Sequence, residues 1–268
     1  MNSYLIEAGT GQHIGNRPEQ NERAALYAGS RARGFMLAVL ADGVSGGALG
    51  AEQALHTARQ HFDTFAADGA VSVERLAELL RAIALEAHTV MLMNPIGASR
   101  EPQSTLTLLV LTPHGQAVWA CVGDSRLYRF SGSACAERSN DAAYVAHLVE
   151  QEKLPLEAAR KHRNSKLLAN VLGNPNQEPF VAIGSYAGLQ AGDAFMLCSD
   201  GLWQFFTDAE LAAVVERNGP RQAAERLIDK ATERAQGKGG NCTMAIVKLV
   251  KPPAEARNYT VRKMGRAV

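Results

Sequence analysis

Three aspartates, Asp42, Asp124 and Asp200, stand where short apolar runs of the sequence end, and each run predicts a buried strand. Hard divalent cations need several oxygen ligands on a rigid scaffold, and carboxylates at converging strand ends would supply them. A single aspartate of this kind is more often only part of a turn, because Asp and the Gly beside it are common turn residues. Three in one chain therefore favour a metal site.

Six motifs surround these aspartates in a fixed order. They are Arg17-Pro18-Glu19-Gln20-Asn21-Glu22, Ala41-Asp42-Gly43-Val44, Ser104-Thr105, Gly123-Asp124-Ser125-Arg126, Ser199-Asp200-Gly201-Leu202-Trp203 and Gly240-Asn241-Cys242-Thr243. In this order the motifs resemble those of the PP2C-like (PPM) metal-dependent Ser/Thr protein phosphatase family, particularly its bacterial type. The resemblance covers residues 5–250, and the ordered set is specific although each motif alone is not.

The resemblance implies a centre of two Mg²⁺ or Mn²⁺ ions that activates a water to attack the phosphorus of phosphoserine or phosphothreonine. It implies that Asp42 bridges the ions and that Asp200 is a second direct ligand. The other metal-site residues by resemblance are the Gly43 carbonyl, Glu22 through a water, and Asp124 at an accessory position. Ser104 and Thr105 are expected to pack and hydrogen-bond beneath the site.

Arg17 matches the family's arginine that holds the substrate phosphate. A guanidinium suits this role because its fork meets phosphate oxygens bidentately. The alternative for Arg17 is an ordinary surface arginine. We expect it to be the catalytic cation.

The sequence departs from the family pattern at the metal ligands. Glu22 stands where the family has Asp, and Gln204 replaces a frequent acid. More seriously, Gly240 replaces an aspartate that would bind the same ion as Asp200. Lys238 would weaken that ion further if its side chain points inward. We therefore expect one of the two metal sites to be weak.

Two functional hypotheses follow. In the first, the chain is an active phosphatase acting on phosphoserine and phosphothreonine proteins, and it opposes a cognate Ser/Thr kinase. In the alternative, it is a catalytically impaired pseudophosphatase that binds a phosphoprotein or a regulatory partner. The retained Arg17, Asp42 and Asp200 favour the enzyme, whereas Gly240 favours the alternative.

Composition limits the other possibilities. The chain has 268 residues with a net charge of +1, and no basic patch interleaved with aromatics suggests nucleic-acid binding. No apolar run approaches the ~20 residues that span a bilayer, and Met1–Glu7 lacks signal-peptide features. The four cysteines form no CxxC pair. We expect a cytoplasmic monomer, with a PP2C-like domain over residues 1–250 and a basic tail over 251–268.

The hydrophobic pattern predicts an α+β fold. Strand patterns occupy residues 4–9, 24–29, 35–41, 104–112, 117–123, 126–130, 194–199 and 242–250. Helical patterns occupy residues 48–66, 72–93, 142–171 and 221–235, together with a helix that opens at the capping box of Thr207 and Glu210. Blocks of helices between strands argue against a doubly wound sheet. The resemblance implies a four-layer α-β-β-α sandwich with two antiparallel sheets.

Overall fold

The computed structural model describes residues 4–93, 101–139 and 170–252. Its strands are β1 (Leu5–His13), β2 (Glu22–Ala28), β3 (Met36–Ser45), β4 (Gln103–Ser104), β5 (Leu106–Leu111), β6 (Gln116–Val122), β7 (Arg126–Ser131), β8 (Ala134–Arg138), β9 (Ala182–Ala187), β10 (Asp193–Cys198) and β11 (Cys242–Val250). Its helices are α1 (Leu49–Thr64), α2 (Val73–Met93), α3 (Asp200–Trp203), α4 (Asp208–Arg217) and α5 (Pro220–Ala235). None of these helices is both long and apolar enough to cross a membrane.

The strands form two sheets. One has the order β1-β11-β10-β7-β8, and the other has the order β2-β3-β5-β6-β9 with the short β4 paired to β3. Every neighbouring pair is antiparallel. The N- and C-terminal strands β1 and β11 pair along nine residues, which joins the two ends of the described chain.

Alternating side chains of the central strands pack against the layers on either side of each sheet, so the fold has four layers. In β3, Leu37 and Val39 pack with α1 and α2, whereas Ala38 and Leu40 face the other sheet. In β10, Met196 packs with α3, α4 and α5 on the opposite outer face. Because successive strand residues point to opposite faces, the central part of each strand is apolar on both faces and contributes to two cores. The predicted four-layer α-β-β-α sandwich is confirmed.

Most predicted elements are present, and the exceptions have physical causes. The predicted strand over 104–112 is interrupted at Thr105, whose backbone N–H donates to the Asp42 carbonyl at 2.9 Å. The edge strands β8 and β9 were not predicted, because they carry few large aliphatic residues and depend on pairing with β7 and β6. The short helix α3 was also missed. Most of the predicted helical block 142–171 and of the tail 251–268 lies outside the described residues.

Candidate metal centre

Three carboxylates meet at one edge of the sandwich. Glu22 begins β2 and lies directly opposite Asp42 of β3 in the antiparallel register. Asp200 is the first residue of α3, just after β10. One oxygen from each of the three side chains lies within 4.8 Å of the other two. Residues far apart in sequence are thus brought to the spacing at which a single cation could contact all of them.

The strand that carries Asp42 does not end there, although the sequence pattern suggested that it would. β3 continues to Ser45, because Gly43 and Ser45 pair with β4 across an irregular register. The Gly43 N–H also donates to the Asn21 carbonyl at 3.2 Å. A Cβ at position 43 would lie 2.4 Å from the Gly47 carbonyl oxygen, so only glycine fits this close approach. Asp42 is therefore held inside a strand instead of at its frayed end.

Hydroxyl groups beneath Asp42 fix its backbone, as the sequence predicted for Ser104 and Thr105. The Ser104 hydroxyl donates to the Asp42 carbonyl at 3.0 Å, and the Asp42 N–H donates to the Thr105 hydroxyl at 3.1 Å. The Thr105 hydroxyl is hydrogen-bonded in turn to the Ser125 hydroxyl at 2.9 Å. This network joins β3, β4 and Thr105 to the turn that contains Asp124.

Glu22 is the most buried of the three acids, with only 2% of its surface exposed. The Ser199 hydroxyl donates to Glu22 Oε2 at 2.8 Å, and the Thr243 N–H donates to the Ser199 oxygen at 3.1 Å. The sequence did not single out Ser199, although it directly precedes Asp200. Its role depends on two sheets meeting, which no local pattern reveals.

The three acids are electrostatically unfavourable without a cation. Burial and the neighbouring Asp42 charge raise the pKa of Glu22, and burial together with Asp200 raises the pKa of Asp42. Burial also raises the pKa of Asp200, while the Gly201 N–H and Arg17 act in the opposite direction. A divalent cation would relieve this repulsion, and an all-oxygen donor set suits Mg²⁺ or Mn²⁺. The residues present therefore fit the metal that the resemblance implies.

The carboxylates open into a cleft of about 480 Å³. Its wall includes all six residues that the sequence predicts for the site, namely Arg17, Glu22, Asp42, Gly43, Asp124 and Asp200, together with Asn21, Val44, Gln204, Lys238, Gly240 and Asn241. Asp124 lies in this wall and adds to the negative potential at Asp42, but it is outside the close group of three. Arg17 stabilises the charged forms of Asp42 and Asp200, so the guanidinium acts on the carboxylates from within the same cleft.

Asn241 holds the segment that carries Arg17 against the end of β11. Its Oδ1 accepts a hydrogen bond from the Asn21 N–H at 2.9 Å. Its Nδ2 donates to the carbonyl oxygens of Ile14 at 2.7 Å and Glu19 at 3.0 Å. Three bonds from one side chain therefore bracket Arg17 on both sides in sequence. The sequence placed Asn241 in a motif but did not reveal this positioning role.

Trp203 and Arg126 connect the turn that contains Asp124 to the helix of Asp200. The Trp203 indole N–H donates to the Asp124 carbonyl at 3.1 Å, and the Arg126 guanidinium stacks 3.5 Å from the centre of the Trp203 ring. The start of α3 is also fixed by close packing, since a Cβ at Gly201 would lie only 1.8 Å from the Asn241 carbonyl. The relative positions of Asp124 and Asp200 are thus set by the β7 and α3 side chains.

Comparison with known proteins identifies similar sequences and folds. The chain is 26% identical over 232 residues to the serine/threonine protein phosphatase PstP of Mycobacterium tuberculosis; the match covers 86% of this chain but only 42% of that protein. A solved structure of PppA, described as a key regulatory component of T6SS in Pseudomonas aeruginosa, is 25% identical with a TM-score of 0.68, covering 91% of this chain and 98% of that one.

A third structure is the catalytic domain of PstP in complex with 2 manganese ions, at 22% identity and a TM-score of 0.63, covering 92% of this chain and 99% of that one. No protein-family model matches the chain. The fold is thus shared with solved structures over more than nine-tenths of the chain. The chain spans less than half the length of the curated relative PstP.

Proposed function

We propose that the chain is a metal-dependent phosphatase of phosphoserine and phosphothreonine proteins, because it belongs to the bacterial type of the PP2C-like (PPM) family. One observation supports this most strongly: Arg17 and the carboxylates of Glu22, Asp42 and Asp200 line one cleft. A phosphoryl-transfer site needs cations that neutralise the transferring group and a fixed position for the nucleophile. This cleft offers the residues for both.

Each residue has a defined task in this proposal. Glu22, Asp42, Asp200 and the Gly43 carbonyl would hold Mn²⁺ or Mg²⁺, with Asp124 at an accessory position. When bound, such ions lower the pKa of water and neutralise charge on phosphoryl oxygens. Arg17 binds the phosphate through its guanidinium fork and orients it above the carboxylates.

Hydrogen bonds from neighbouring residues hold these groups in position. Ser104 and Thr105 fix the Asp42 backbone, Ser199 holds one Glu22 oxygen, and Asn241 holds the Arg17 segment. Catalysis by positioning tolerates little displacement of the reacting groups. The density of hydrogen bonds beneath the carboxylates is what such a site requires.

We further propose that the substrates are phosphoproteins made by a cognate Ser/Thr kinase and that the chain acts as a monomer. Residues 1–250 would form the phosphatase domain, and residues 251–268 a basic tail outside it. A reducing, cytoplasmic location is supported by the four cysteines, all described, which form no disulfide and three of which are buried. Similarity to PstP, which is named a serine/threonine protein phosphatase, supports the enzyme hypothesis. Gly240 is the main argument for the pseudophosphatase hypothesis.

The test is hydrolysis of a phosphothreonine peptide across a titration of Mn²⁺ and of Mg²⁺. We expect saturable, metal-dependent phosphate release that Asp42→Ala abolishes. Asp68→Ala is the matched control, because Asp68 is an exposed acid outside the cleft. Circular dichroism and thermal unfolding check that each variant is folded. Folded wild-type protein that releases no phosphate at any metal concentration would favour the pseudophosphatase instead.

A further inference from the structure

We propose that Lys238 is a specificity-determining residue that binds a second anionic group of the substrate, an acidic or phosphorylated side chain next to the phosphoresidue. This inference rests on the proposed function, because the phosphopeptide site is defined by Arg17 and the carboxylates. Lys238 lies in the wall of the same cleft.

The acidic and basic residues of the cleft come from different segments of the chain. The carboxylates of Glu22, Asp42, Asp124 and Asp200 come from β2, β3, the turn before β7, and α3. The cations come from two other segments, residues 14–17 and 237–241. Among the described residues that line the cleft, these two segments contribute Arg17 and Lys238 and no carboxylate.

The two cationic segments form a single wall because they are joined to each other. The Asn16 N–H donates to the Gly239 carbonyl at 2.9 Å. Gly15 packs so tightly against the same loop that a Cβ there would lie 2.0 Å from the Gly240 carbonyl oxygen. Arg17 and Lys238 are thus presented by one connected backbone surface, although 220 residues separate them in sequence.

The surface between the two cations is open. Apart from its two chain neighbours, a Cβ at Gly240 would have Arg17 Nε, at 3.9 Å, as the one atom of the described residues within 4 Å, so position 240 leaves space beside the guanidinium. Lys238 is exposed and forms no ion pair with another described residue. Arg17 stabilises the Asp42 and Asp200 carboxylates, whereas Lys238 is not among the groups that act on either of these two acids. The lysine is therefore available to an anion that arrives with the substrate.

The chemistry of the two cations differs in a way that fits two ligand groups. The planar fork of Arg17 suits the phosphate that reacts, whereas an ammonium is a compact point charge on a flexible stem. Lys238 can follow a carboxylate or phosphate whose exact position varies between substrates. The volume of about 480 Å³ falls in the range of clefts that hold more than a single small group. We therefore infer a preference for phosphopeptides with a neighbouring negative charge.

The experiment uses three phosphothreonine peptides of equal length, in which the flanking positions carry Glu, Gln or Lys. Equilibrium binding is measured by fluorescence anisotropy without added metal, and kcat/KM is measured with Mn²⁺. Each peptide is tested on the wild-type protein, on Lys238→Met, on Lys238→Glu and on Lys238→Arg. Lys230→Met is the matched control, because Lys230 is an exposed lysine of α5 outside the cleft.

We expect the wild-type protein to prefer the Glu peptide over the Gln peptide by about threefold at low salt, as is typical of a solvated ion pair. Lys238→Met should remove this preference, Lys238→Glu should reverse it, and Lys238→Arg and Lys230→Met should keep it. High salt should reduce it, because screening weakens exposed pairs. A preference that persists in Lys238→Met, or that is absent from the wild-type protein, would overturn the inference.

The two readouts separate this inference from the proposed function. Hydrolysis with equal kcat/KM for all peptides would leave the phosphatase standing and refute the role of Lys238. Binding that prefers the Glu peptide and depends on Lys238, without any hydrolysis, would support the role of Lys238 and refute the enzyme. Neither binding nor hydrolysis by folded protein would refute both.

Discussion

We predict that Gly240 limits the affinity of the cleft for metal, and Gly240→Asp tests this prediction most directly. The resemblance places an acid here, and the space for it is present. Among the described residues other than its two chain neighbours, only Arg17 Nε lies within 4 Å of a Cβ at position 240, at 3.9 Å. The backbone at Gly240 does not have a positive φ, so an aspartate introduces no backbone strain. A fifth carboxylate would then join Glu22, Asp42, Asp124 and Asp200 around the cleft.

The expected gain in affinity is about 10-fold or more for one Mn²⁺ ion, since even groups that only orient a metal ligand change affinity by roughly 10- to 100-fold. Ten-fold corresponds to about 1.4 kcal/mol of binding free energy. Arg17 offsets part of this gain, because its guanidinium lies beside the new carboxylate. Pairing with that carboxylate should also raise the KM for a phosphopeptide.

Isothermal titration calorimetry with Mn²⁺ measures the change, and Gly240→Asn is the control. Asparagine has nearly the shape of aspartate but lacks its charge, so we expect its affinity to stay close to that of the wild-type protein. If the Asp and Asn variants bind Mn²⁺ equally, the charge at position 240 does not limit the site. If neither binds more tightly than the wild-type protein, the missing carboxylate is not the cause of weak binding.

Three further predictions concern the metal-free protein and its supports. Burial and Asp42 raise the pKa of Glu22 to about 8, and burial and Asp200 raise the pKa of Asp42 to about 7. The folded state therefore binds more protons than an unfolded chain, whose carboxyls titrate near pH ~4. The free energy of unfolding in EDTA should therefore fall as pH rises from about 4 to about 8. Urea unfolding at several pH values measures this dependence, and the same dependence in Asp42→Asn would contradict the prediction. Trp203→Phe removes the hydrogen bond to the Asp124 carbonyl and should lower the free energy of unfolding in urea by about 1 kcal/mol. It should also weaken Mn²⁺ binding by calorimetry, and unchanged metal affinity would show that this hydrogen bond is only structural. Thr207→Ala removes the capping box that opens α4 and should cost about 1 kcal/mol of stability without changing kcat/KM, whereas an altered kcat/KM would mean that α4 influences the cleft.

The sequence alone determined the identity of the metal-site candidates and most of the fold. Strand and helix periods predicted the central strands β3, β5, β6, β10 and β11, because each is apolar on both faces and strongly patterned. The capping box at Thr207 was readable because it depends on two residues three apart, and both of its hydrogen bonds are present. The order of the motifs predicted the site residues, since motif order survives where overall identity is low.

Only the tertiary structure decided how these residues act together. The Ser199 bond to Glu22 and the three bonds of Asn241 join residues 177 or more positions apart, and no local pattern encodes such distances. The extension of β3 beyond Asp42 required the short β4 as a partner, and the edge strands β8 and β9 required β7 and β6. The position of Lys238 on the same wall as Arg17 likewise depends on backbone contacts between the two chain ends. Sequence patterns report the local preference of each segment, whereas the electrostatics of the cleft arise from segments that meet only in the folded protein.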